Sequence, residues 1–373
     1  MRELKFKTDL RSSRGANSLP KVRDGEKRVT LPQLTSLRFF AAYYVLLTHS
    51  GATFLATAGA PTPIVNFAAN GHLGVSFFFI LSGFVLSVTY ADSEPKLIDL
   101  RRFYTARFAR IYPTYALALL LAAPFVDFKG NELGAVANVV LLQSWYPWPG
   151  YPHFWNTPGW TLSVELFFYL LFPFIIFALS RLNVSSLWLI ALAASSVIIW
   201  QMSFYLEESA VNIEGSAVPL PMIRFPEFVL GSAMGRLFQL GAIDRLKSDI
   251  GLAAVGVLLI GILISTRNPA YLSIVVVGMV VVISLSAVST GLFRYVLSYK
   301  WLVFLGGASY ALYILQAPVR FIIESILIDF PKVMILVYQP VLIIVSIIVF
   351  VGFEEPARLM IRRLGSRSRF VKS

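Results

Sequence analysis

The sequence predicts an all-α integral membrane protein of about ten transmembrane helices around a central polar cavity, with both termini in the cytosol. Three observations carry this. Hydrophobic residues make up 57% of the 373 and charged residues only 14%, against about 25% charged in an ordinary soluble domain. Ten predominantly apolar stretches are each close to the roughly 20 residues that cross a bilayer. Of the 32 Lys and Arg, 27 fall in the regions that this topology places on one side, the imbalance that marks a cytosolic face. The net charge of +12 therefore faces the cytosol and its anionic lipid headgroups, and no nucleic acid is needed to explain it.

Residues 1–33 hold nine Lys or Arg against four acids. They are too long and too charged for the n-region of a signal peptide and read as a cytosolic basic tail. Spans follow at about 34–57, 73–91, 111–127, 159–180, 187–206, 222–241, 250–266, 270–290, 302–328 and 333–353. Together they define a transmembrane domain over 34–353, multi-pass in the inner (plasma) membrane, and 354–373 reads as a second cytosolic basic tail. Gly231-x-x-x-Gly235 in the sixth span is a pattern for close helix packing. The seventh and eighth spans carry no charge and suit a supporting role. The longest outer loop, about 128–158, gathers Trp145, Tyr146, Trp148, Tyr151, His153 and Trp155. These residues suit interfacial anchoring and equally the stacking faces of a sugar-binding surface.

With no cysteine, thiol nucleophiles, disulfides and Cys-ligated metals are excluded. Three histidines leave little material for zinc, and no metal site is expected. No G-x-S-x-G elbow, Walker loop, G-x-G-x-x-G turn or H-E-x-x-H pair occurs. The chemistry must therefore come from polar residues inside the apolar spans.

Arg38 opens the first span and His49 follows 11 residues later, within about 20° of the same helical face and roughly 16 Å further along the axis. Ionisable residues at such depth usually face a cavity or a proton path. Snorkelling of Arg38 and a backbone partner for His49 is the plainer alternative, but the shared phase of the two favours function. Glu165 lies about one turn inside the fourth span, where a carboxylate needs a partner. The inner loop before the third span reads Arg101-Arg102-Phe-Tyr-Thr-Ala-Arg107-Phe-Ala-Arg110-Ile-Tyr112-Pro113. Arg107 and Arg110 are helical neighbours, and a guanidinium cluster of this kind suits a multiply phosphorylated ligand. Positive-inside topology alone accounts for part of it. Arg224 and Glu227 start the sixth span in a pattern largely explained by capping. Arg320 and Glu324 stand four apart in the ninth, and Tyr310 and Gln316 add polar atoms to that helix.

Taken together these segments resemble the acyltransferase 3 family of membrane-bound acyltransferases. Leu34-Thr-Ser-Leu-Arg38 through His49 is similar to its opening arginine, ten residues and histidine. Gly71-His-Leu-Gly through Leu81-Ser-Gly-Phe84, Arg107 to Pro113, Trp160-Thr-Leu-Ser-Val-Glu165, Arg224 to Gly231, Ser309-Tyr310-Ala-Leu-Tyr313 and Glu355-Pro356 follow in the family's order. Many members have histidine where this chain has Gln316, a departure that weighs against a proton-transfer role at that position. Some members carry an appended extracytoplasmic hydrolase-like domain. The 373 residues hold none, so transfer is expected to finish here or on a separate protein.

The resemblance implies transfer of an acyl group from cytosolic acyl-CoA to a hydroxyl of a polysaccharide or lipid-linked glycan at the outer face. Acetyl-CoA stands first as donor and succinyl-CoA second; each is a co-substrate, and no permanently bound cofactor is expected. Arg38, Arg107, Arg110 and Tyr112 would hold the donor. His49 would act as general base, with Glu165 orienting it, or would itself carry the acyl group. Trp145, Trp148, His153, Trp160, Arg224, Tyr310, Gln316 and Arg320 are candidates for the acceptor or the acyl group, Arg224 and Arg320 being the cations that a succinyl carboxylate would want. His72 is a lesser candidate. The competing class is a transporter or flippase, since ten helices with a polar stripe also suit a solute path. Nothing in the sequence sets an oligomeric state.

Overall fold

Among the described residues the chain is helical throughout, with no strand. The computed structural model describes residues 30–90, 98–145, 155–204, 218–328 and 331–367. The principal helices are α1 Pro32–Ser50, α2 Gly74–Tyr90, α3 Leu100–Ala122, α4 Trp160–Leu179, α5 Val184–Phe204, α6 Phe225–Gln239, α7 Asp249–Ser265, α8 Pro269–Val288, α9 Lys300–Ile314, α10 Gln316–Ile326, α11 Pro331–Val349 and α12 Glu355–Arg367. A π-helical turn, Phe350–Glu354, joins the last two. Local chemistry sets several starts. Asp99, Ser248 and Asn268 accept the amides of Arg102, Gly251 and Ala270 at 3.0, 2.9 and 2.9 Å, as capping residues do. Pro32 and Pro269 occupy the first turn, where no N–H is needed.

Each of the ten expected spans coincides with one of these helices, the ninth being α9 and α10 bent by 65° about a short break. Length and apolarity for crossing a bilayer belong to six stretches among the described residues: Thr62–Tyr90, Leu100–Phe125, Thr157–Leu179, Val184–Ser203, Pro269–Val288 and Leu336–Leu364. The bent pair counted as one makes seven. The remaining three of the ten differ for visible reasons: α1 is interrupted by Arg38 and His49, α6 has 15 residues and α7 has 17. The segment expected as a C-terminal tail contains α12, which packs along α3.

The helix pairings are led by α2 against α6 and α1 against α9. Both rest on glycine at the crossing. A Cβ added at Gly231 would run into the Ile80 carbonyl, one at Gly83 into the Phe228 carbonyl, and one at Gly306 into the Thr35 carbonyl. Backbone therefore touches backbone, the close approach that small residues permit between helices in lipid. Around these crossings an aromatic layer joins α2, α3, α4 and α6. Phe168 stacks on Phe228 at 4.7 Å and meets Phe79 edge-on at 5.2 Å, while Phe172 stacks on Phe103 at 5.5 Å. Side-chain amides tie the helix ends: Gln33 donates to Ser286 O at 3.1 Å, Asn70 to Leu263 O at 2.9 Å, and Asn156 to Ile314 O at 3.1 Å.

Gly256 and Gly261 on α7 have open space where a Cβ would stand. We expect Gly231→Ala to force α2 and α6 apart and destabilise by about 1–3 kcal/mol. Gly256→Ala should be neutral or stabilise by roughly 0.5–1 kcal/mol. Thermal unfolding of the two variants in detergent, read by size-exclusion chromatography, makes the comparison.

Candidate active site

A cavity of about 760 Å³, its open mouth included, is enclosed by α1, α2, α3, α4 and α9. Its charged lining is Arg38 from α1, Arg107 and Arg110 from α3, and Glu165 from α4. Ser82, Thr161, Tyr169, Ser309, Tyr310 and Tyr313 supply hydroxyls, and Val75, Phe78, Phe79, Leu81, Leu86, Ile111 and Leu162 the apolar wall. Four ionisable groups from three helices thus meet in one hollow of an apolar bundle. Groups of this kind in a membrane protein mark a functional path.

Each of the three arginines is placed by its helix. Arg107 sits in an aromatic cage, its guanidinium carbon 6.0, 5.7 and 5.7 Å from the ring centres of Tyr90, Phe103 and Tyr169, an arrangement favoured by the quadrupole of each ring. Arg110 follows one turn on, at the cavity wall. Arg38 lies in the field of both Arg107 and Arg110, so mutual repulsion must be offset. Glu165 supplies the opposite charge: Arg110, Arg38 and Arg107 all act on it, and the Tyr169 hydroxyl is within hydrogen-bonding reach. Tyr169 stands four residues after Glu165 and hence on the same helical face, and that spacing is the sequence signal that marks it. Tyr310 donates its hydroxyl to the Ile111 carbonyl and so seams α9 to α3 beside the cavity. Among the described residues no cluster of three or more His, Asp or Glu is placed to hold a metal ion.

A family profile described as an acyltransferase domain matches residues 31–355. The chain belongs to the acyltransferase 3 family. It is 33% identical over 231 residues to acyltransferase MdmB of Streptomyces mycarofaciens, covering 57% of this chain and 59% of that protein. With O-acetyltransferase OatA of Staphylococcus aureus it shares 23% identity over 328 residues, 79% of this chain and 51% of that protein. The alignment thus spans little more than half the length of these curated relatives. No solved structure matches. Membership in the acyltransferase 3 family favours a transferase over a transporter, and the apolar helices make it a multi-pass membrane protein.

Of the residues that the sequence singles out, the cavity gathers Arg38, Arg107, Arg110, Glu165 and Tyr310. His49 stands apart, exposed on the last turn of α1 and outside the residues that line this cavity. Ala42 and Val45, between it and Arg38 on the same stripe, are buried at 0% and 1% exposure. Tyr112 is stacked on Phe108 at 4.9 Å and donates to Val139 O at 3.1 Å, away from the cavity lining. Arg224 bonds Ser76 Oγ at 2.8 Å and Glu227 at 3.2 Å, and Arg320 pairs with Glu324 at 2.7 Å near the surface. Gln316 is buried at the α9–α10 break with both amide atoms unpartnered. Trp160 caps the wall edge-on to Phe79 at 6.2 Å, and Trp145 meets Phe167 edge-on at 5.2 Å. His72 Nδ1 lies 3.0 Å from Ala69 O in its own turn. Trp148 and His153 lie outside the described residues.

Removing Glu165 would leave the arginines without the carboxylate between them. Because the group is only partly enclosed, we expect Glu165→Leu to cost up to about 3 kcal/mol, with Glu165→Gln milder. Thermal unfolding of both variants in detergent measures the difference.

Proposed function

We propose that this protein is a membrane O-acyltransferase that takes an acyl group from cytosolic acyl-CoA. It passes that group to a hydroxyl of a polysaccharide or lipid-linked glycan at the outer face of the inner membrane. The observation that carries the reading is the convergence of Arg38, Arg107 and Arg110 with Glu165 in one cavity of the helical bundle. Three guanidinium groups around a single carboxylate suit the phosphates of a coenzyme A thioester. On the expected topology of ten crossings with cytosolic termini, that cavity's arginines would stand nearest the cytosol, where the donor is.

In this mechanism Arg38, Arg107 and Arg110 hold the donor phosphates. Glu165 is their counter-charge and, with Tyr169, keeps them in place. The pantetheine arm extends along the α1 stripe toward His49, about 16 Å from Arg38, and the helices packed on Ala42 and Val45 part to admit it. His49 takes the proton of the acceptor hydroxyl as the oxygen attacks the thioester carbonyl. Collapse of the tetrahedral intermediate breaks the carbon–sulfur bond, and the imidazolium returns the proton to the departing thiolate. Trp145, Trp160 and the rest of the outer aromatic segment form the acceptor surface, with Trp148 and His153 as its candidates beyond the described residues.

Acetyl is the leading acyl group and succinyl the second. Arg224 and Arg320 are each paired with a glutamate, and neither lines the cavity, which supports the smaller, uncharged group. The printed name of the OatA relative, an O-acetyltransferase, points the same way.

Two measurements test this reading. Mass spectrometry of cell-surface glycans from a deletion strain carrying wild type or His49→Ala should find acetyl or succinyl ester with wild type alone; identical spectra would sink the proposal. In membranes supplied with acyl-CoA, His49→Ala should reduce kcat by about 10²–10⁴-fold. The Arg107→Ala and Arg110→Ala pair should instead raise the donor KM by about tenfold or more.

A further inference from the structure

The C-terminal segment forms a wall rather than a tail. α12 packs along α3, and its positions 358 and 362 are four apart and therefore share one face. Arg358 pairs with Glu355 at 2.6 Å and lies in the field of Arg110, while Arg362 lies in the field of Arg358, Arg107 and Arg110. The π-helical turn that precedes α12 sets Glu354 inside the protein at 2% exposure, near Arg110 and Arg358. Such turns are frequent at functional sites.

Among the described residues four arginines, Arg107, Arg110, Arg358 and Arg362, meet here against three acids, Glu165, Glu354 and Glu355. Arg107 Nε and Arg358 Nε are buried with no hydrogen-bond partner, and Arg107 is fixed by rings instead of a carboxylate. Both oxygens of Glu354 are likewise buried and unpartnered, so this acid balances charge nearby without a direct bond, while Arg358 donates to Glu355 through one terminal nitrogen. Arginines gathered in excess over their acids suit the oxygens of phosphate, which a guanidinium meets two at a time.

We infer that Arg358 and Arg362 of α12, facing Arg107 and Arg110 of α3, form the second wall of a binding site for a multiply phosphorylated anion. This site rests on the acyl-CoA reading above and extends it. The anion is the nucleotide end of the donor, seated between α3 and α12 while its thioester arm enters the cavity. An anionic lipid headgroup offers the same chemistry, and the test separates the two.

Binding of coenzyme A, 3′-dephospho-coenzyme A and pantetheine to the full chain is measured by calorimetry in nanodiscs of phosphatidylcholine, with and without phosphatidylglycerol. The Arg358→Gln and Arg362→Gln double variant should weaken coenzyme A binding by about tenfold or more. It should weaken the dephospho form less and pantetheine not at all, equally in both lipids. Undiminished coenzyme A affinity in the double variant overturns the inference, as does a loss shared equally by pantetheine. Loss of phosphatidylglycerol binding with coenzyme A affinity intact assigns the wall to lipid and also overturns it. If wild type binds no coenzyme A, the donor reading itself fails; if wild type binds and the double variant binds as well, only the present inference fails. Should the double variant not fold, Arg362→Gln alone, at an exposed position, gives the same readout, with a weakening of at least about threefold expected and none overturning the inference.

Discussion

Backbone-to-backbone contact between helices is the constraint on which the rest of this protein depends. In lipid, apolar side chains gain little by leaving one hydrocarbon surface for another, so helices associate through close packing and hydrogen bonds. Gly83 and Gly231 bring α2 and α6 into that contact, and Gly306 does the same for α9 against α1. Because α1 and α9 both contribute to the cavity, their crossing fixes the distance between those two walls, and the α2–α6 crossing backs the α2 wall from outside. The aromatic layer of Phe79, Phe168, Phe228 and Phe172 then fills the space left between the remaining helices.

Within that frame the cavity combines two ways of keeping a cation in an apolar setting. Arg107 is held by the faces of Tyr90, Phe103 and Tyr169, its Nε buried and unpartnered. Arg38 and Arg110 share the charge of Glu165. A site built from ion pairs alone would have its donors saturated, and a site of arginines alone would repel itself. The mixture keeps positive charge in place while an anion can still reach it. Arg224 and Arg320 are instead each bonded to a glutamate one turn further along the chain.

Much of this architecture was legible in the sequence because hydrophobic length and charge spacing are local properties. The ten apolar stretches each fold as helix, and the three-residue spacing of Arg107 and Arg110 puts both at the cavity. What sequence periodicity cannot carry is depth and neighbour. Arg38 and His49 share a phase, yet Ala42 and Val45 seal the stripe between them, since phase says nothing of what packs opposite. Tyr112 sits two residues from Arg110 and therefore points another way, toward Val139. The stretch after residue 353 reads as a tail because it is short and basic. Its helix is stabilised by packing on α3, a tertiary contact that composition does not announce.

The π-helical turn at Phe350–Glu354 makes chain length at this point matter more than chemistry. It holds one residue more than regular α-helical winding would use. Val351, Gly352 and Phe353 are exposed, so exchanges among them touch little of the interior. Deleting any one of them would let the winding become regular and turn everything downstream by about 100°. Arg358 and Arg362 would then swing off α3 toward the surroundings with their spacing unchanged. A lineage drifting at this turn can therefore vary its letters widely but not its count.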